Sequence, residues 1–536
     1  MKIIIAAVVI VAVVLVGIFA FSGQGHDSDP THLTVAAHNN IKEPEAGFNP
    51  LTGWGCGHQN YNPLVQSCLF KTDKNGSMVP DLATGYSVSE DGKTWTVNVR
   101  TDVKFSDNST FDAEDVAFTF NTAKETESDL DLTNVANVTA VNKTTVKFDL
   151  VEPRSTFIYD LRYLGIVPSD SYDNSTYGEH PIGTGPYVLD HWDKGQQAIF
   201  KVNDNYYGDK PYFTQITLLF PEEATWLELT KSGNLDVAPV ATSSLNQTVD
   251  GYQFVEKSAG RAQGVSLPYL NDTGIVSPDG YKVGNNVTAD KAIREALNVG
   301  INRQTLCDDV FSGHATPEYT GVDTRTYANP DAKVNDSDVE KAKQILKEGG
   351  WVDSNGDGIV EKNGTKASFD LYYPPDYLDR QSVSTVFAEQ AKDLGIEVNL
   401  QGADWDTIYS KMYSSAALMQ QTSPDPYKSI YQQYHSKEMD GFYMNPNLYN
   451  NSDSDKLMED AMHTSDFNQS DSLWSQSALV NGGGWGPAGD APWVWLANYN
   501  YNYFIKDGID IGEQPDGLGN DILINIEDWT RTNSTA

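Results

Sequence analysis

Between Asp336 and Gly402 the chain alternates helical and extended patterns in an order that few folds accommodate. DSDVEKAKQILKEGGW, residues 336–351, puts Val339, Ala342, Ile345 and Leu346 on one helical face. Ser337 and Glu340 stand in a capping-box relation, and Gly349 is placed to end the helix. ASFDLYYP then alternates as a strand, RQSVSTVFAEQAKDLG reads as a helix closed by Gly395, and IEVNLQG reads as a second strand. Strand, helix and strand in succession call for a right-handed crossover and a parallel pair, hence an α/β lobe.

At 536 residues the chain exceeds what one core ordinarily holds, so two or three lobes are expected. No repeat or low-complexity linker interrupts it, which favours one hinged body. Nearer the amino end, KTWTVNVR alternates Trp95, Val97 and Val99 with polar neighbours, and TTVKFDL does the same with Val146, Phe148 and Leu150. Both read as half-buried strands. Between them FDAEDVAFTFNTAKE offers Asp112 as N-cap and Asp115 at N3 of a helix.

Acidic residues outnumber basic ones 74 to 37, a formal net charge of -37. Such a field repels nucleic acid, and dispersal of the acid along the chain reads as a solvated surface. The uncharged run from Ile3 to Phe21 follows Lys2 and precedes an acidic stretch, so residues 1–22 are expected to be a signal or membrane anchor with the rest exported. No cysteine stands directly after that run, so a lipidated cysteine anchor is not expected. Cys56, Cys68 and Cys307 match no zinc spacing, and a Cys56–Cys68 bridge is left open.

The motifs of several enzyme classes are missing: no GxSxG, HExxH or GxxxxGK[ST] occurs. GWGPAG, residues 484–489, is interrupted by Pro487 and reads as a loop. DSNGDGIVEKNG matches the first half of an EF-hand loop through Asp353, Asn355, Asp357 and Gly358, but its twelfth position is Gly364, so a polar hairpin turn is expected. No carboxylate pair singles itself out as a glycosidase dyad, which keeps a secreted carbohydrate-active enzyme as an outside alternative.

PIGTGPYVLDHWDKGQQAIFKVNDNYYGDKPYFTQITLLF, residues 181–220, and MVPDLATGYSVSEDGKTWTVNVRTDVKFSDNSTFDAEDVAFTF, residues 78–120, resemble the family 5 solute-binding proteins of ABC importers, the oligopeptide, dipeptide and nickel group. GNLDVAPV, ADKAIREALNVGINRQTL, KAKQILKEGGWVDSNGDG and SPDPYKSIYQQYHS follow in the family's order; SDNST departs from it by lacking a glycine. The resemblance implies a periplasmic-binding-protein-like α/β fold, a Venus flytrap of two lobes closing about a hinge, with an extra domain inserted in the amino-terminal lobe. Residues 30–55, 182–270 and 490–536 would form the first lobe, 56–181 the inserted domain and 271–489 the second lobe. It also implies a monomeric binding protein rather than an enzyme, with no required cofactor. Such a protein is exported, either anchored at the outer face of the cytoplasmic membrane or extracellular or periplasmic, and hands its ligand to ABC permease and ATPase subunits.

The segment GFNPLTGWGCGHQNYNPLVQSCLFK, residues 47–71, resembles the nickel branch, so a nickel chelate as transported ligand is slightly favoured over a short peptide. Trp54 would supply an aromatic wall, His58 or His435 an imidazole, and Arg162 a partner for chelator carboxylates. His435 sits near the family's metal-ligating histidine at a shorter spacing; the bland alternative is a surface histidine after a helix of tyrosines. Asp425 carries the peptide reading, since relatives pair an aspartate there with the ligand's α-amino group; Tyr427 belongs to the same ligand-binding set. Asp425 before Pro426 also reads as a helix cap. In GDAPWVWLANYNYNYFI, residues 489–505, most rings are expected in the core and a few along the cleft.

Overall fold

Two long antiparallel strands, Tyr252–Ser266 and Trp493–Lys506, run through the middle of the molecule. The second opens with the apolar run WVWLA, continues with asparagines alternating with tyrosines, and is buried nearly throughout, as a strand covered on both faces must be. The structure is a computed structural model. It describes residues 29–37, 43–44, 47–52, 62–74, 77–126, 130–375, 378–438, 444–464, 467–514 and 522–532. The apolar run Ile3–Phe21, Trp54, Cys56 and His58 lie outside the described residues. Among those described, no helix is long and apolar enough to cross a membrane.

The two long strands change partners along their length. Ala262–Ser266 pairs with Ala416–Gln421, which leads to the parallel strands Ser368–Tyr373 and Glu397–Gly402. At the other end Val237–Pro239 pairs with Tyr503–Ile505 and leads through His32–Ala36 to Gln215–Leu219, Gln197–Val202 and Tyr187–Asp193. The exchange falls at a register break between Lys257 and Arg261, where Gly260 adopts a left-handed φ of 57°. One mixed sheet of 11 strands therefore carries two lobes joined where its longest strands are irregular; one core fills most of the first lobe, and another runs from Leu235, Ala238 and Val240 of the first into the second.

The expected strand, helix and strand appear as Ser368–Tyr373, Leu378–Asp393 and Glu397–Gly402, the strands parallel in register from Ser368↔Glu397. The preceding helix, Val339–Glu348, corrects its expected cap. Asp338 accepts from the Lys341 amide at 2.9 Å, while Ser337 sits at a left-handed φ of 65°. A carboxylate one residue nearer the helix does what the hydroxyl was expected to do.

The third core lies under a four-stranded antiparallel sheet, Ala83–Val88, Thr94–Val99, Thr145–Leu150 and Val135–Asn142 in spatial order. Trp95 faces Phe148 and Val97 faces Val146, joining the two strands whose alternation was plain in sequence. Helix Ala113–Glu125 opens with Asp112 and Asp115 in a reciprocal capping box and buries Val116, Phe120 and Ala123. The PIGTGPY glycines serve close approach rather than unusual dihedrals: a Cβ on Gly183 would lie 1.9 Å from the Val65 carbonyl oxygen, and Gly185 donates to that oxygen at 2.8 Å. The acidic loop at 353–361 folds on itself, with Asp353 accepting from the Gly356 and Gly358 amides. Glu361, rather than the twelfth position, joins Asp353 and Asp357, and Lys366 pairs with Asp357.

Candidate functional site

Four of the six sequence candidates gather along one seam between the four-stranded domain and the second lobe. Helix Ile158–Tyr163 carries Arg162, which is buried with its guanidinium 4.8 Å from the Tyr163 ring. Lys428, on the turn of Tyr427–Tyr431, lies 5.4 Å from that same ring. Asp425 is wholly buried and accepts from Arg154 Nη2 at 3.0 Å and from the Tyr427 amide at 2.9 Å. The second contact is the helix cap that the Asp-Pro pair suggested. Arg154 also grips Asp160, at 2.6 and 3.3 Å, and stacks 4.1 Å from the Tyr427 ring. One guanidinium thus serves two buried acids, and burial pushes the Asp160 carboxyl up to about 6 despite Arg154 and Lys428.

Tyr427, Tyr431 and His435, spaced four apart, stack in sequence, with centroids 5.4 and 4.2 Å apart. His435 is not the surface residue of the bland alternative, because it is 1% exposed. Its Nδ1 accepts from the Lys437 amide at 3.0 Å, which leaves the proton of the neutral ring on Nε2, 3.5 Å from Glu459. Burial lowers the His435 pKa, against the pull of Asp455 and Glu459. In this geometry the Nδ1 lone pair is taken by the Lys437 amide, and the Asp425 carboxylate is paired with Arg154.

A cavity of about 60 Å³ lies between the lobes at the register break, lined from both sides. Its floor is the crossing strands. Arg261, 4% exposed, is held between Tyr499 and Tyr501, each ring centroid 4.6 Å away, and donates to Gln420 Oε1 at 3.1 Å. The second lobe adds Phe311, stacked on Tyr499 at 5.0 Å, and Asp379 and Arg380 from the start of helix Leu378–Asp393. Arg380 stacks 5.3 Å from the Trp405 ring. The first lobe adds Glu223 and Trp226, and His314 pairs with Glu256 at the rim. Aromatic planes orient both guanidiniums, whose planar forks suit carboxylate recognition.

Sequence reasoning missed Arg261 and Arg380. The signal for Arg261 was an arginine on the inward phase of a strand, two residues before buried Gln263, in a chain short of basic residues. The expectation that some late aromatic rings line the cleft is met by Tyr499 and Tyr501.

Residues 77–441 match the model for bacterial extracellular solute-binding proteins, family 5. Protein XP55 of Streptomyces lividans is 32% identical over 429 residues, 75% of this chain and 74% of that protein. The oligopeptide-binding protein AppA of Bacillus subtilis is 27% identical, covering 80% of each chain. The nickel-binding periplasmic protein of Escherichia coli is 30% identical, covering 66% of this chain and 67% of that one. In fold, NikZ of Campylobacter jejuni, solved with a nickel–L-histidine complex, superposes with a TM-score of 0.77 over 94% of this chain and all of that one at 21% identity. With a matching family model across most of the chain and two α/β lobes about a cleft, the chain belongs to the family 5 extracellular solute-binding proteins, which capture a solute for an ABC importer.

Proposed function

We propose that the lobes part at the interlobe cavity, which at about 60 Å³ holds only a few waters as it stands, to capture a small carboxylate-bearing solute, with an aminocarboxylate chelate of nickel or a related metal as the favoured cargo. The observation that carries this is the pair Arg261 and Arg380, each stacked on aromatic rings and lining one cavity from the crossing strand and the second lobe. Two cations and aromatic walls are what a metal already wrapped by an organic chelator requires. The protein then needs no metal ligand of its own, which agrees with the Lys437 amide taking the His435 Nδ1 lone pair. Nickel would be cargo rather than cofactor. The apolar run Ile3–Phe21 would tether the monomeric domain beside its permease and ATPase subunits.

A short peptide is the second reading, favoured by the likeness to an oligopeptide-binding protein and by the carboxylates of Glu223 and Asp379 in the same cavity. Asp425 would not be its amino-group anchor while Arg154 holds it. Calorimetric titration with nickel plus L-histidine and with trialanine separates the two. Saturable binding of the nickel complex alone supports the chelate, and binding of trialanine alone selects the peptide.

A further inference from the structure

Thirteen asparagines open an Asn-x-Ser/Thr sequence with no proline between, the acceptor pattern of N-linked glycosylation in exported chains. Eleven of them fall in the described residues, and all eleven are solvent-exposed. Of the twenty-one other asparagines whose side chains are described, only four are exposed. Exposure therefore follows the residue two positions later, not asparagine itself.

Turn chemistry does not account for that split. Asn302, Asn329 and Asn451 cap helices, and Asn49, Asn203 and Asn285 brace turns through Oδ1, yet none of these six is exposed. Such side chains lie against the body they brace. The asparagines of the acceptor sequences stand off it, spread from Asn108 to Asn468, and none of them lines the interlobe cavity.

The hairpin at the edge of the four-stranded sheet shows the local geometry. Strand Val135–Asn142 is the edge strand and turns at Asn142 into Thr145–Leu150. Asn142 Oδ1 accepts from the Thr144 amide at 2.8 Å and from the Thr144 hydroxyl at 2.9 Å. Its Nδ2, the atom that would carry a sugar, has no acceptor among the described residues. On the strand itself Asn137 and Thr139 share one exposed face, as residues two apart do, and Asn137 Nδ2 donates to the Thr139 hydroxyl at 2.7 Å. In both sequences the required hydroxyl meets the side-chain amide it must accompany.

We infer that the chain is N-glycosylated at its exposed acceptor sequences, with Asn142 the best-presented site. The modifying partner is a membrane oligosaccharyltransferase that carries an oligosaccharide on a lipid phosphate. Asn142 Nδ2 bonds to the anomeric carbon as the bond from that carbon to the phosphate oxygen breaks. The lipid phosphate leaves with the electron pair, and the amide gives up one proton. Membership of an extracellular family places the chain on the side of the membrane where such transfer takes place.

The test is mass spectrometry, intact and by peptide mapping, of the full protein isolated from the cells that export it, beside the same chain made in the cytoplasm of cells without the transferase. The exported protein is expected to be heavier by whole sugar units, with added mass on the Asn142 peptide and on at least one other exposed acceptor sequence. Thr144→Val is expected to clear the Asn142 peptide alone, and Thr144→Ser to keep its sugar, since either hydroxyl serves. An unmodified Asn142 in the exported wild-type protein overturns the inference, whether or not the variants fold. So does sugar that stays on the Asn142 peptide in Thr144→Val, or sugar found only on serine and threonine hydroxyls.

Discussion

Replacing Arg154 with methionine removes the guanidinium that bridges Asp160 and Asp425, both 0% exposed. Breaking a buried ion pair from one side costs about 3–5 kcal/mol, because the partner keeps its desolvation penalty and loses its compensation. Here two partners are stranded. Asp160, already pushed up to about 6, takes a proton near pH 7 at about 1 kcal/mol or less once Arg154 is gone. Asp425 keeps the Tyr427 amide as donor, so the expected loss is about 4 kcal/mol, a large share of the about 5–15 kcal/mol that holds a folded protein together. Urea unfolding followed by tryptophan fluorescence measures it. The double variant Arg154→Met, Asp425→Leu is expected to recover part of the loss, since apolar replacement of a buried pair is often nearly neutral. A loss below about 1 kcal/mol for Arg154→Met, the value of an exposed pair, would show that the two acids are not stranded.

Glu318, pushed up to about 7 by burial and then by the charge of Asp323, and Asp160 both bind their protons more tightly folded than unfolded. Their contribution is complete below about pH 4 and is lost as pH rises through 6 and 7, about 3 kcal/mol for Glu318; the melting temperature should fall from pH 5 to pH 8, and Glu318→Gln should flatten that profile. Gly183→Ala drives a Cβ against the Val65 carbonyl and should cost about 1–3 kcal/mol in the same urea assay, whereas Gly195→Ala, with no heavy atom near its Cβ but a φ of 80°, should cost less. Burial pushes the Cys307 thiol up to about 12, so alkylation by iodoacetamide at pH 8 should leave Cys307 unmodified in the folded protein and label it in urea; labelling of the native state counts against that burial. With a formal charge of -37, the melting temperature should rise between 0.05 and 1 M sodium chloride, and a flat response would show that self-repulsion is not limiting.

Local structure was legible wherever one residue type has one physical use. Asp112 and Asp115 announced a helix start, Trp95, Val97 and Val99 a half-buried strand, and Gly395 a helix end, and each is found in that role. Ser337 and Asp338 were a closer contest, since either side chain can cap a helix and only the turn before it decides. The site was less legible because it is made by closure of the register. Arg261, Glu223 and Arg380 are far apart in sequence, and nothing local marks them as neighbours. Asp425 shows the converse difficulty: its place in an Asp-Pro pair was plain, but the partner that occupies its carboxylate stands 271 residues away. A motif fixes a residue's position on its own element, whereas the charge it meets depends on which elements pack together.

Native mass spectrometry of the full protein beside its Arg380→Met variant decides whether the interlobe cavity is the capture site. The wild-type protein is expected to carry one small bound mass that contains a carboxylate, and the variant, folded by circular dichroism, is expected to have lost it. Retention of that mass by Arg380→Met, or a bound molecule without a carboxylate, would contradict capture at the interlobe cavity.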